Sequence, residues 1–157
     1  MAIIKPNNNT ISAITALPFG TGKVLQVVTG ETTTNTQITS TSYADTSLTA
    51  NITPSATSSK ILITCSAMLY ISAQAARLTI FRDSTNLASA TASEDSFVTT
   101  DGDGKYFATS GMHFLDSPSS TSAVNYQIRF RNNQGSTTTT MPFSSALGVL
   151  TAYEIGA

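Results

Sequence analysis

Residues 60–71 read KILITCSAMLYI, and this stretch decides the fold class. Ile61, Ile63, Cys65, Ala67, Leu69 and Ile71 share one parity. Leu62, Thr64, Ser66, Met68 and Tyr70 share the other, which is the two-residue period of a β-strand. Apolar side chains occur at both parities, so neither face of this strand is built for water. The preceding Pro54-Ser55-Ala56-Thr57-Ser58-Ser59 reads as a turn. Before it, Ser47 to Thr53 sets Leu48, Ala50 and Ile52 on one face.

The same grammar extends in both directions. Lys23 to Thr29 and Gln37 to Tyr43 read as earlier strands. Downstream come Arg77 to Arg82, a turn at Asp83-Ser84-Thr85-Asn86, and a strand from Leu87 to Ala92. Ser93 to Lys105 reads as a loop around Asp101-Gly102-Asp103-Gly104. Tyr106 to Leu115 is a strand closed by Asp116-Ser117-Pro118. Ala123 to Arg131 alternates Val124, Tyr126, Ile128 and Phe130 against polar residues, and Asn132-Asn133-Gln134-Gly135 turns it. Ala146 to Ile155 is the last strand. About nine or ten short strands with regular turns predict an all-β, antiparallel β-sandwich or jelly-roll head over residues 22–157.

Residues 1–21 differ. Asn7-Asn8-Asn9-Thr10 leads into a short helical pattern carrying Ile11, Ile14 and Leu17, stopped by Pro18 and Gly20. A helix this short is marginal alone in water. With Ile3 and Ile4 it forms an arm too apolar to be an idle terminus, and its expected role is anchoring to another protein.

Composition narrows the function. Charged residues are 11% of the chain, whereas 27 threonines and 21 serines keep it polar without fixed charge. Thr suits a pleated, half-exposed surface. The net charge of −1 gives no basic field for nucleic acid. No apolar run approaches the length of a membrane helix. A secretory signal is not recognisable either, because Lys5-Pro6-Asn7 interrupts the first apolar residues, so synthesis in a cytoplasm is expected. Because Lys60 to Ile71 and Arg77 to Arg82 carry apolar residues on both faces, a second subunit is the expected cover. The expectation is a homo-oligomer, a ring of three ahead of two.

The residues give little for chemistry. Cys65 lies in phase with the core positions of its strand and reads as packing rather than as a nucleophile. His113, the single histidine, has Asp116 as its nearest carboxylate in sequence, but a strand position between Met112 and Phe114 favours a structural or interface role over a Ser-His-Asp relay. Glu94, Asp95, Asp101 and Asp103 gather in one loop. Asp101-Gly102-Asp103-Gly104 matches the start of a calcium loop without its later ligands, and suits an exposed turn equally well. Gly20-Thr21-Gly22-Lys23 lacks phosphate-loop spacing, and the sequon Asn51-Ile52-Thr53 is followed by Pro54. No metal, cofactor or catalytic residue is expected. Candidate contacts with a receptor or host glycan are the loop residues Asp101, Asp103, Lys105, Asn132, Asn133 and Gln134.

Three stretches carry a resemblance. Gly22-Lys23-Val24-Leu25-Gln26-Val27-Val28 leading into a Thr-rich segment, Ile52-Thr53-Pro54-Ser55-Ala56-Thr57-Ser58-Ser59-Lys60-Ile61-Leu62-Ile63, and Ala2-Ile3-Ile4-Lys5-Pro6-Asn7-Asn8-Asn9-Thr10-Ile11 together touch roughly a third of the chain. Each is similar to segments of small virion structural proteins of tailed bacteriophages, particularly those of marine and cyanobacterial hosts. The resemblance implies a virion surface protein. Its head would be a trimeric jelly roll of the complement and tumour-necrosis-factor type, held to the major capsid protein or another virion protein by the arm. The expected function is capsid decoration or a short head fibre. A short tail fibre or fibre tip binding a host receptor, and a cellular adhesin or lectin-like module, are the alternatives.

Overall fold

The structure is a computed structural model that describes residues 22–72, 75–88, 96–100, 106–135 and 137–156. The anchoring arm, with Ile3, Ile4, Ile11, Ile14 and Leu17, lies outside the described residues, as do Asp101, Asp103 and Lys105 of the acidic loop. Among the described residues eleven strands are formed: β1 Val24–Thr32, β2 Thr36–Ile38, β3 Ala44–Ile52, β4 Lys60–Ile71, β5 Ala76–Arg82, β6 Thr85–Asn86, β7 Val98–Thr100, β8 Tyr106–Asp116, β9 Val124–Asn132, β10 Thr139–Met141 and β11 Gly148–Ile155. No helix occurs among the described residues, and all the strand pairings are antiparallel.

Strand β4 organises the first sheet. β8 pairs along it from Ile61 to Ile71, while β11 and then β10 take its opposite edge, at Lys60 to Ser66 and at Tyr70 and Ile71. β1 lies outside β11, and β2 outside β10. The second sheet runs β3-β9-β5-β6, with β7 also on β5.

The core lies between the sheets and follows strand parity. Ile61, Ile63, Leu69 and Ile71 of β4 are fully buried with Leu48 and Ile52 of β3, Leu78 and Ile80 of β5, and Tyr126, Ile128 and Phe130 of β9. Cys65 belongs to this inner row, and burial pushes its thiol pKa up to about 12, so it packs as a small apolar group.

Two places show how side chains complete the backbone. The ladder between β3 and β9 shifts register between Asp45 and Thr49. There the buried Thr46 hydroxyl donates to the Ile128 carbonyl at 2.6 Å and accepts from the Leu48 amide at 3.1 Å. At the rim, β1 crosses β3 at Gly30 so closely that a Cβ there would stand 1.8 Å from the Thr49 carbonyl oxygen. Two residues onward along β1, Thr32 and Ser47 join hydroxyls at 2.8 Å.

Several expectations need correction. The strand expected over Gln37 to Tyr43 is only Thr36–Ile38, because the chain then leaves the ladder and the Ser40 carbonyl accepts the Asn132 amide at 2.8 Å. Of the strand expected over Leu87 to Ala92, Leu87 and Ala88 lie outside any strand and residues 89–92 lie outside the described residues; the pairing after the turn is the two-residue β6. The turn is Asp83-Ser84, with Asp83 at φ 53°, and Thr85 already pairs with Arg82. Within the expected loop Ser93 to Lys105, residues 98–100 form β7. The second face of Arg77 to Arg82 is covered by the chain itself. Phe81 is buried under Arg129, 4.2 Å from its ring centre, and against Tyr43 at 5.7 Å.

Candidate interaction surface

Two buried polar clusters tie the strands together. Glu154 sits on the inward parity of β11 with Leu150 and Ala152 and is fully buried. Its Oε1 accepts from the Ser55 amide (2.7 Å), the Ser55 hydroxyl (2.5 Å) and the Ser59 hydroxyl (2.7 Å), and its Oε2 from Gln26 Nε2 at 2.6 Å. Burial alone would raise this carboxyl's pKa, but donors from Gln26, Ser55 and Ser59 outweigh it and lower it from 4.5 to about 2. The carboxylate thereby fastens the turn between β3 and β4 to the last strand, and Gln26 extends the grip to β1 and to the Thr53 carbonyl at 2.7 Å.

The sign of the pH effect follows from the lowered value. A folded-state pKa below the unfolded one stabilises the fold above pH 4.5, and that stability drains away as pH falls from 4.5 through about 2. Urea melts of wild type should therefore weaken across this window. Those of Glu154→Gln, lower by about 2 kcal/mol at neutral pH for the lost charged hydrogen bonds, should run flatter across it. Parallel curves for the two proteins would refute this role.

The second cluster joins the sheets. Asp116, at the end of β8, accepts from Arg82 Nη1 at 3.0 and 2.9 Å and from the Tyr126 hydroxyl at 2.7 Å. Burial first, then the Asp116 hydrogen bond and charge, push the Tyr126 phenol well above its ordinary pKa. Asp116 faces inward opposite Ile61, whereas the exposed His113 lies on the outer face opposite Thr64. The two therefore cannot form the relay weighed from sequence. No group of three or more His, Cys, Asp or Glu among the described residues is placed to hold a metal.

The sequence-selected loop residues divide. Asn133 and Gln134 are exposed, and Asn133 Oδ1 accepts from Arg77 Nε at 2.9 Å. Asn132 was expected as an exposed contact but is completely buried. It is the last residue of β9, its Nδ2 donates to the Thr137 carbonyl at 2.5 Å, and its Oδ1 accepts from the Thr139 hydroxyl. Its Nδ2 also donates to the Ile38 carbonyl at 3.4 Å, so both ends of the amide are engaged within the chain and turned away from any ligand.

The outer face of the first sheet is where apolar surface remains in the open. Register aligns Val27, Tyr153, Leu62 and Leu115 in one row across β1, β11, β4 and β8. Val27 is 53% and Leu115 50% exposed, with Tyr153 and Leu62 half-buried between them. Val24 and Leu25 extend the row at the start of β1. The next row is Thr29, Thr151, Thr64 and His113, and the one after is Glu31, Val149, Ser66 and Gly111. Farther along β4, Tyr70 is stacked by Phe143 at 4.8 Å, so the chain covers that end itself.

No family model matches this chain, and no curated protein matches it. The surface must speak for itself. Sequence reasoning flagged two-faced strands but missed Glu154, and it weighed Asp116 only as a partner for His113 and not as a link between the sheets. Their available signal was a carboxylate on an inward parity.

Proposed function

We propose that this protein is a structural component of the exterior of a tailed-phage particle, a capsid decoration or short head-fibre protein with a trimeric jelly-roll head. One observation carries the scaffold reading: Glu154, Asp116 and Arg82 are each used to join one strand or turn to another, which serves rigidity rather than turnover. The strand orders β1-β11-β4-β8 and β3-β9-β5-β7, with the chain passing repeatedly between sheets, support the jelly-roll part of this reading. The three stretches similar to phage structural proteins supply the setting, and the apolar arm ahead of Gly22 supplies the attachment.

The test is position and copy number on intact particles. Antibody against the head domain should label the capsid shell, and quantitative mass spectrometry should give a copy number that scales with the capsid protein. Deleting Met1 to Leu17 should leave a folded oligomer that no longer binds particles. Labelling confined to the tail would overturn the decoration reading in favour of a tail fibre, and retained attachment of the deleted form would overturn the role of the arm.

A further inference from the structure

We propose that the outer face of the β3-β9-β5 sheet binds an acidic polysaccharide, with Arg77, Arg129 and Arg131 receiving its carboxylates. The proposal goes beyond attachment to a particle and stands whether or not the decoration reading does. The inward parity of β5 and β9 belongs to Leu78, Ile80, Ile128 and Phe130 of the core. Arg77, Arg129 and Arg131 stand on the opposite face of the same two strands. Register sets Arg77 directly across from Arg131, and Arg129 across from Thr79 in the next row of that face. The roots of the three side chains are therefore within about 8 Å of one another. The other basic residues described are placed elsewhere: Lys23 and Lys60 at the approach to β1 and the start of β4, and Arg82 on Asp116.

The guanidiniums are held in set orientations. Arg129 lies over the Phe81 ring, 4.2 Å from its centre, and Arg131 over the Tyr43 ring at 5.3 Å. The two rings meet edge to face at 5.7 Å. Arg77 is steadied at Nε by Asn133 Oδ1 at 2.9 Å, and Arg129 at Nε by Asp45 Oδ1 at 2.7 Å. A guanidinium fixed in this way presents a planar fork, the geometry that meets a carboxylate with two hydrogen bonds. Among the described residues Asp45 is the one carboxylate among these arginines, and its side chain is 65% exposed, so water screens the pair it makes. Asp83 lies three rows away, beyond the end of β5. Two arginines directly opposed on a sheet repel each other, and an anion seated between them removes that cost.

The neighbours decide the kind of anion. Both rings already carry an arginine, so the face offers no platform for stacked bases, which single-stranded nucleic acid would use. Exposed Asn133 and Gln134 follow Arg131 along the chain and border the arginines with amides, which exchange hydrogen bonds with hydroxyls. A chain of sugar acids supplies both partners: carboxylates at intervals for the arginines, and hydroxyls between them for the amides.

The experiment is affinity electrophoresis of the full chain in native gels holding polygalacturonate, with dextran as the neutral polymer and oligothymidylate as a competing polyanion. Polygalacturonate should retard the protein and dextran should not, and retardation should fall as salt rises. The double variant Arg77→Gln, Arg131→Gln should bind at least tenfold more weakly, for the lost charged hydrogen bonds, with a urea midpoint no lower than that of wild type. Arg77→Lys, which keeps the charge and loses the fork, should bind severalfold more weakly. Asp45→Asn should bind about threefold tighter, because it removes the negative charge beside Arg129. A gain of that kind cannot come from a folding defect, so Asp45→Asn carries the test should the double variant melt lower. Absence of retardation by polygalacturonate, or equal retardation by dextran, would overturn the proposal. Oligothymidylate competing as well as galacturonate oligomers would overturn the saccharide and leave a general polyanion patch. If a folded double variant binds like wild type, or Asp45→Asn binds no tighter, the assignment to this face fails.

Discussion

Replacing Gly30 by alanine should lower stability by about 3 kcal/mol, the upper end for overpacking in a closed structure. The added methyl would lie 1.8 Å from the Thr49 carbonyl oxygen and 2.8 Å from its carbon. Both are backbone atoms, so no side chain can swing aside. Relief requires β1 and β3 to separate. That strains the Thr32–Ser47 hydroxyl contact and the β1 ladder on β11, which runs from Val24 to Thr32. Gly111→Ala is the matched control, since it meets open space and should melt within about 0.5 kcal/mol of wild type, as surface changes do. Equal urea midpoints for Gly30→Ala and wild type would show that the crossing is looser than described.

Asp116→Ala should cost about 3 kcal/mol, because removing one partner strands the others. It leaves the Tyr126 hydroxyl without its acceptor inside the core and Arg82 without its counter-ion. The figure sits at the lower end of the range for broken buried pairs because the Arg82 side chain is 27% exposed and keeps some water. A triple variant Asp116→Leu, Arg82→Met, Tyr126→Phe should recover most of the loss, since it removes every stranded group together. If Asp116→Ala alone melts like wild type, the cluster contributes nothing to the joining of β8 with the opposite sheet.

Fold class was legible because alternation survives in the long strands. Lys60 to Ile71 has the same bounds in sequence and structure, and Val124, Tyr126, Ile128 and Phe130 are all inward as their spacing predicts. Short strands were not legible. Thr139–Met141 lies in a threonine run with no apolar period, and its pairing comes from β2 and β4, both distant in sequence. The overreach at Gln37 to Tyr43 has the same origin: Ile38 and Tyr43, five residues apart, have opposite parity and carry no true alternation, and a long-range bond from the Asn132 amide to the Ser40 carbonyl takes the chain off the ladder.

The surface was half legible. Two-faced apolar strands signalled a cover, but sequence could not show which face the chain would cover unaided. Phe81 found Arg129 and Tyr43 within the same molecule, whereas Val27 and Leu115 did not become buried among the described residues. The buried Asn132 shows the opposite error, since an Asn-Asn-Gln-Gly turn signature says nothing about which amide closes inward.

The first and last strands of the head lie side by side, with the Gly22 amide donating to the Gly156 carbonyl at 3.0 Å and the Gly156 amide to the Lys23 carbonyl at 2.8 Å. Entry and exit of the polypeptide are thus stitched at one pole. A short peptide splice could make the backbone circular there with little loss of chain entropy, and fresh ends could be opened in the exposed Ser119 to Ser122 bend. Pulling the two ends of the head apart at that pole would open the β1–β11 ladder bond by bond, like a zip, starting from Val24 and Ile155.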